Sequence, residues 1–182
     1  MATREQRHRA GHYEILVETL AKFEFFEAGW NPYQRYLDVD KVDFILRRRD
    51  GVQLKYREVQ VKYGKLYDCT RPWEKPLFDV TSWRFFNEGE FARFLARRDF
   101  FIAYVLAHDS GYKGDIFIFP VKQFHDLLIK AVVAGGRRRV YLSRSVADQS
   151  RWYFRIASRF DAISKDTCVD ISQYRRNFAV LQ

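Results

Sequence analysis

Residues 40–65 read DKVDFILRRRDGVQLKYREVQVKYGK, and the reading of this stretch decides the fold. Residues 42–48 have the length and composition of a strand. Arg49-Asp50-Gly51 is a turn, and Asp-Gly favours the tight hairpin type. Residues 52–63 then form a second, longer strand. Side chains alternate between the faces of a strand. Glu58, Gln60 and Lys62 therefore share one face, while Val59 and Val61 point the other way and suit a core.

The hairpin sets a register. With Asp50-Gly51 as the two loop residues, Arg49 pairs with Val52 and Asp43 lies opposite Glu58. Directly opposed side chains have Cβ atoms about 4.5–5.5 Å apart. Two facing carboxylates repel unless a cation lies between them, and Mg²⁺ favours carboxylate and water oxygens. Asp43, Glu58 and the amide oxygen of Gln60 are thus candidate metal ligands, with Mg²⁺ or Mn²⁺ as the cofactor. Lys62 lies where it can hold a phosphate or a water. Such a set suits phosphodiester hydrolysis: a metal-bound water ionises more readily, and cations stabilise the transition state. The same alternation of Glu and Lys also fits a solvated face or a cross-strand ion pair.

Working outward, residues 12–28 form a helix with Leu16, Leu20 and Phe23 at helical spacing and Gly29 as its stop. Residues 33–37 are extended. Residues 68–78, with Pro72 and Pro76, read as a long loop. Residues 88–98 read as helix, 100–107 as an apolar strand, 108–114 as a turn and 115–119 as a strand. Pro120 starts a helix that runs to Gly135-Gly136. Short strands at 140–143 and 152–156 follow, and Asp170 caps a last helix through Leu181. The order α-β-β-β-α-β-β-α-β-β-α predicts a mixed α/β (α+β) fold, a central mixed sheet flanked by helices. No repeat or linker divides the chain, so residues 1–182 read as a single domain.

The whole chain carries 32 basic and 23 acidic residues, a formal +9. A balance of that kind draws a protein to polyanions, nucleic acid first among them. No segment has the length and apolarity to span a bilayer, and the first ten residues lack a signal peptide's apolar core. Cys69 and Cys168 stand in no metal spacing and read as reduced thiols, so the expected location is cytoplasmic. His8 and His12, four apart with no further Cys or His nearby, do not make a zinc site. Walker, GxGxxG, GxSxG, zinc-finger and HExxH patterns do not occur.

A helix, a strand ending near an Asp and a hairpin into a strand bearing Gln60-Val61-Lys62 together resemble the PD-(D/E)xK nuclease superfamily. The superfamily includes restriction enzymes and Holliday junction resolvases. The likeness covers residues 11–65 by motif and follows the order of elements as far as the helix at Pro120. It implies a restriction-endonuclease-like core and a DNA endonuclease, with RNA or branched DNA as further substrates and a homodimer as a further partner. By this resemblance Asp43 is the metal-binding acid, Gln60 holds the (D/E) place, Lys62 is the lysine and Glu14 is the accessory acid. Glu18, one turn on, is the alternative to Glu14. Val42 stands where the family has proline. Gln60 in place of an acid leaves open a second outcome, a nuclease fold that binds nucleic acid without cutting it.

Basic runs add candidate nucleic-acid contacts: Arg47, Arg48 and Arg49 at the hairpin tip, and Arg137, Arg138 and Arg139 after Gly135-Gly136. Arginine grips phosphate bidentately. Trp73, in the loop after the site strand, is a candidate for stacking on a base, and Tyr63 and Lys65 for lining the cleft. The aromatic surplus alone supports a third reading, a protein-interaction domain.

Overall fold

The computed structural model describes residues 4–34 and 41–182, with side chains from residue 12 onward. The end of the expected extended stretch, Asp40 and the His8 side chain lie outside these. Helix α1 spans Arg4–Glu27. Strand β1 is Asn31–Gln34, β2 Phe44–Asp50, β3 Gln53–Asp68, β4 Phe78–Phe86, β5 Phe100–His108 and β6 Gly111–Pro120. Helix α2, Val121–Leu128, precedes β7 (Val132–Ala134), β8 (Arg137–Ser145), β9 (Trp152–Arg155) and β10 (Cys168–Asp170). The class is therefore mixed α+β, as expected.

One ten-stranded sheet runs β1-β2-β3-β4-β8-β9-β10, with β5 and β6 beside β3 and β7 beside β8. The β3–β5 ladder is parallel and the other ladders are antiparallel. Strand β5 divides the interior. Its Phe100, Ile102, Tyr104 and Leu106 enter a core with Phe124, Leu128, Leu142 and Trp152. The alternating Phe101, Ala103 and Val105 enter a second core under α1. A strand covered on both faces reads as a continuous apolar run, and 100–107 does.

Gly64 marks the point where β3 passes from one half of the sheet to the other. A Cβ there would collide with Ser82, Leu106 and Tyr104, so only glycine allows this approach.

Several expectations need correction. The buried stripe of α1 is Val17, Ala21 and Phe25, while Leu16 and Phe23 are exposed. The helix is apolar on several sides, so spacing alone did not select the buried one. Strand β4 is an addition to the sequence-derived order, and residues 88–94 form a 3₁₀ helix (Glu88–Phe94). Helix α2 ends at Leu128, and Gly135-Gly136 instead turn β7 into β8, both at positive φ. In place of a last helix there are strand β10 and two 3₁₀ turns. Asp170 ends β10 rather than capping a helix: its carboxylate accepts the Ser172 amide at 2.9 Å in a local turn, and Ile171 holds the cap position of the 3₁₀ turn that follows.

The hairpin register differs by two. Asp50 pairs with Gln53, which leaves Gly51-Val52 as the loop, so Ile45 faces Glu58. Gly51 takes a positive φ of 58°. Asp50 does not, and it stays in the ladder with its carboxylate on Lys55 at 2.8 Å. The preference of Asp-Gly for the loop was outweighed because this turn needs only one left-handed residue.

Candidate functional site

Strand β3 has a bare edge. Its ladder with β2 ends at Phe44–Val59, and its ladder with β4 begins at Leu66–Ser82. Between them β3 pairs with neither β2 nor β4, and among the described residues Gln60 to Lys65 pair on the other side with β5 alone. Backbone groups on such an edge need partners. Two side chains supply them. The Asp43 carboxylate accepts the Val61 amide at 2.6 Å. The Arg84 guanidinium donates to the Tyr63 carbonyl at 3.0 Å. The sheet fork therefore fixes an acid and a base within one opening.

A cleft of about 420 Å³ occupies this opening. It is lined by Tyr13, Glu14, Val17 and Glu18 of α1, by Lys41 and Asp43, by Gln60 to Tyr63, and by Arg84. Tyr13 and Tyr63 stack at 5.1 Å and form one wall. Burial holds the Tyr63 hydroxyl protonated, its pKa pushed up to about 12. Glu18 accepts a hydrogen bond from Gln34 at 3.2 Å.

Gln60 and Lys62 share the face opposite Val59 and Val61, as strand alternation requires, and both are buried while Val61 is only partly so. The Lys62 ammonium is 2.9 Å from Glu90 of the 3₁₀ helix and lies over the Phe91 ring at 5.6 Å. Burial lowers its pKa, and the carboxylates of Glu90 and Asp43 oppose that shift. The amide oxygen of Gln60 is buried and has no hydrogen-bond partner among the described residues. An unpartnered buried acceptor is costly, and an oxygen of this kind suits a hard cation. Among the described residues no group of three or more His, Cys, Asp or Glu is placed to hold a metal. The donor set on offer is the Asp43 carboxylate and the Gln60 amide oxygen, with Glu14 and Glu18 on the helix side.

Thus Asp43, Gln60, Lys62, Tyr63 and Glu14 come together. Glu58 does not: the two-residue register change moves it from Asp43 to Ile45. It lines a separate cleft with Tyr56, Arg98 and Asp99, its carboxylate bound by Arg97. Lys65 is not in the cleft either, and pairs with Asp109 at 2.7 Å. Trp73 is half-buried, edge-on to Phe160 at 5.6 Å, rather than an exposed loop ring. Arg47 bonds the Tyr33 hydroxyl, Arg48 lies over Trp30, and both line a second cleft with Arg49 and Phe26. Arg138 is bound to Glu88, while Arg137 and Arg139 lie on aromatic rings.

Sequence reasoning missed Arg84 and Glu90. Both come from elements absent from the predicted order or of a different kind, so nothing local tied them to the Gln60-x-Lys62 strand. No family model matches this chain, and comparison with curated proteins and with solved structures returns no match.

Proposed function

We propose that this protein is a metal-dependent endonuclease that hydrolyses phosphodiester bonds in DNA. The observation that carries the reading is the cleft at the fork of β3, where Asp43, Lys62 and the unpartnered oxygen of Gln60 converge. Asp43 and Gln60 would hold Mg²⁺ or Mn²⁺, with Glu14 or Glu18 as the accessory acid. A divalent cation bound there supplies an activated water and polarises a phosphoryl oxygen. The chain's own groups do the rest. The Val61 amide orients the Asp43 carboxylate. Glu90 holds the Lys62 ammonium at the cleft, and the burial of Lys62 away from water strengthens its pull on phosphate oxygens. Arg84 presents a second cation at the same opening. The formal charge of +9 favours a polyanionic substrate.

A second reading, a nuclease-like fold that binds without cutting, is favoured by one feature: the cleft offers an amide where a second carboxylate would hold the metal more tightly. One experiment separates the two. Purified protein is incubated with supercoiled plasmid, single-stranded DNA and branched DNA, with Mg²⁺ or Mn²⁺, beside the Lys62→Ala and Asp43→Ala proteins. The nuclease reading expects metal-dependent nicking that both substitutions abolish. Salt-sensitive binding with no cutting of any substrate leaves the binding module instead.

A further inference from the structure

Strands β4 and β8 bear a second polar surface, on the side of the sheet away from the main core. Phe86, Val140 and Leu142 face that core. The alternate residues face outward. Trp83 is paired with Tyr141, and Phe85 with Arg139. The Arg139 guanidinium lies over Trp83 at 4.4 Å, Tyr141 at 4.9 Å and Phe85 at 5.5 Å. Arg137 lies over Phe85 at 4.6 Å. Trp83 is 40% exposed, and Tyr67 of β3, which pairs with Thr81 two residues before Trp83 on β4, is 41% exposed. Tyr67, Trp83, Arg139 and Tyr141 border a cleft with Thr70, Arg71 and Thr81 and with the carboxylates of Asp68, which faces His108 at 3.6 Å, and Glu74, which is bound to Arg155. Among the described residues, Arg71, Arg137 and Arg139 form no ion pair.

The same surface has a closed half that shows what it accepts. Arg155 lies on the other side of Tyr141 at 4.3 Å. There the chain covers it with its own ring: Trp73 stands over Arg155 at 5.0 Å, and Phe160 closes the cluster. Glu74 neutralises that guanidinium at 2.5 Å. In the open half Trp83 is 40% exposed, and among the described residues no carboxylate pairs with Arg139. Among the described residues, the closed half has a covering ring and a carboxylate bound to its guanidinium, whereas in the open half Asp68 and Glu74 border the cleft but neither is paired with Arg139. A nucleotide brings both a flat ring and a negative charge.

We propose that the open face formed by Trp83, Phe85, Arg137 and Arg139 binds a single strand of nucleic acid, with bases stacked on the rings and phosphates met by the arginines. A duplex hides its base faces, so this surface selects unpaired strands. The site is separate from the Asp43 cleft and needs no metal.

The test is fluorescence anisotropy in EDTA, with fluorescein-labelled oligo(dT), oligo(rU) and a mixed-sequence duplex. The tighter of the two single strands tells DNA from RNA, and binding of neither overturns the proposal. Trp83→Ala is expected to weaken single-strand binding about ten-fold, the loss of one stacked base, and to leave duplex binding unchanged. Arg137→Glu, at an exposed position that cannot disturb the core, is expected to weaken it and lower the salt slope by about 0.7 or more. The titration in EDTA does not depend on the metal-dependent cleft, which keeps this outcome apart from the fate of the cleavage reading. Affinity unchanged in both Trp83→Ala and Arg137→Glu, or an equal loss on the duplex, overturns it.

Discussion

The cleft at the fork of β3 and the face of β4 and β8 both carry buried or half-buried cations, yet they hold them differently. In the cleft Lys62 is bound by a carboxylate, 2.9 Å from Glu90, and Arg84 by a backbone carbonyl. On the face Arg137 and Arg139 are held by aromatic rings. A carboxylate neutralises the cation it fixes, which suits a group aimed at one atom. A ring supports a guanidinium while leaving its charge and donors largely unspent, which suits a polyanion passing over a surface. The partners of a charge, more than the count of charges, tell what it does.

The comparison breaks most easily at the two halves of the aromatic face. Arg155→Met strips the partner from buried Glu74 and is expected to cost about 3–5 kcal/mol, the cost of orphaning a buried charge. Arg139→Met removes only cation–ring contacts and is expected to cost about 1–2 kcal/mol. Urea unfolding of both proteins measures the gap, and equal losses would erase the distinction between the closed and open halves.

In the cleft, Lys62→Met is expected to lower the cutting rate about 10²–10³-fold, as loss of a preorganised charge contact does. Initial rates on plasmid measure this, with a melting curve to show that the protein is folded. A rate within experimental scatter of the parent removes Lys62 from the chemistry. Glu58→Gln is a smaller change. Glu58 is bound to part-exposed Arg97 in its own cleft, so stability is expected to fall by no more than about 1 kcal/mol. Cutting should persist, and a collapse of the rate would return Glu58 to the site.

The smallest effect is one of pH. Burial raises the pKa of Asp115 above its ordinary 3.8, although Arg175 at 2.9 Å opposes the shift. The folded protein therefore takes up this proton at a higher pH than the unfolded chain. Stability from this group rises as pH falls through the folded pKa, and the rise is complete below about 3.8. Unfolding of the parent and of Asp115→Asn between pH 7 and 4 should show the difference in stability moving toward the parent on acidification. A difference that does not change with pH contradicts it.

What was legible in the sequence was what alternation encodes. Gln60 and Lys62 share a face opposite Val59 and Val61 because strand geometry leaves no choice, and Asp43 enters the same cleft because the hairpin is short. The run 100–107 reads as a strand because it is buried on both faces. What failed was the part that depends on distant contacts. The register placed Glu58 opposite Asp43 because Asp-Gly fits a loop equally well one residue earlier, and only the packed sheet chooses. Trp73 looked exposed because its neighbours are polar and proline-rich, while its actual partners, Phe160 and Arg155, are more than 80 residues away in the chain. Arg84 and Glu90 belong to the site through β4 and its 3₁₀ extension, which return to β3 only in three dimensions.

The central claim is that Asp43 and Gln60 together form a cation site beside Lys62. Calorimetric titration of Mn²⁺ into the protein, into Asp43→Asn and into Gln60→Leu tests it without relying on any substrate. One binding site is expected in the parent, weakened in Gln60→Leu and lost in Asp43→Asn. Heat of binding that is the same in all three proteins would contradict the account.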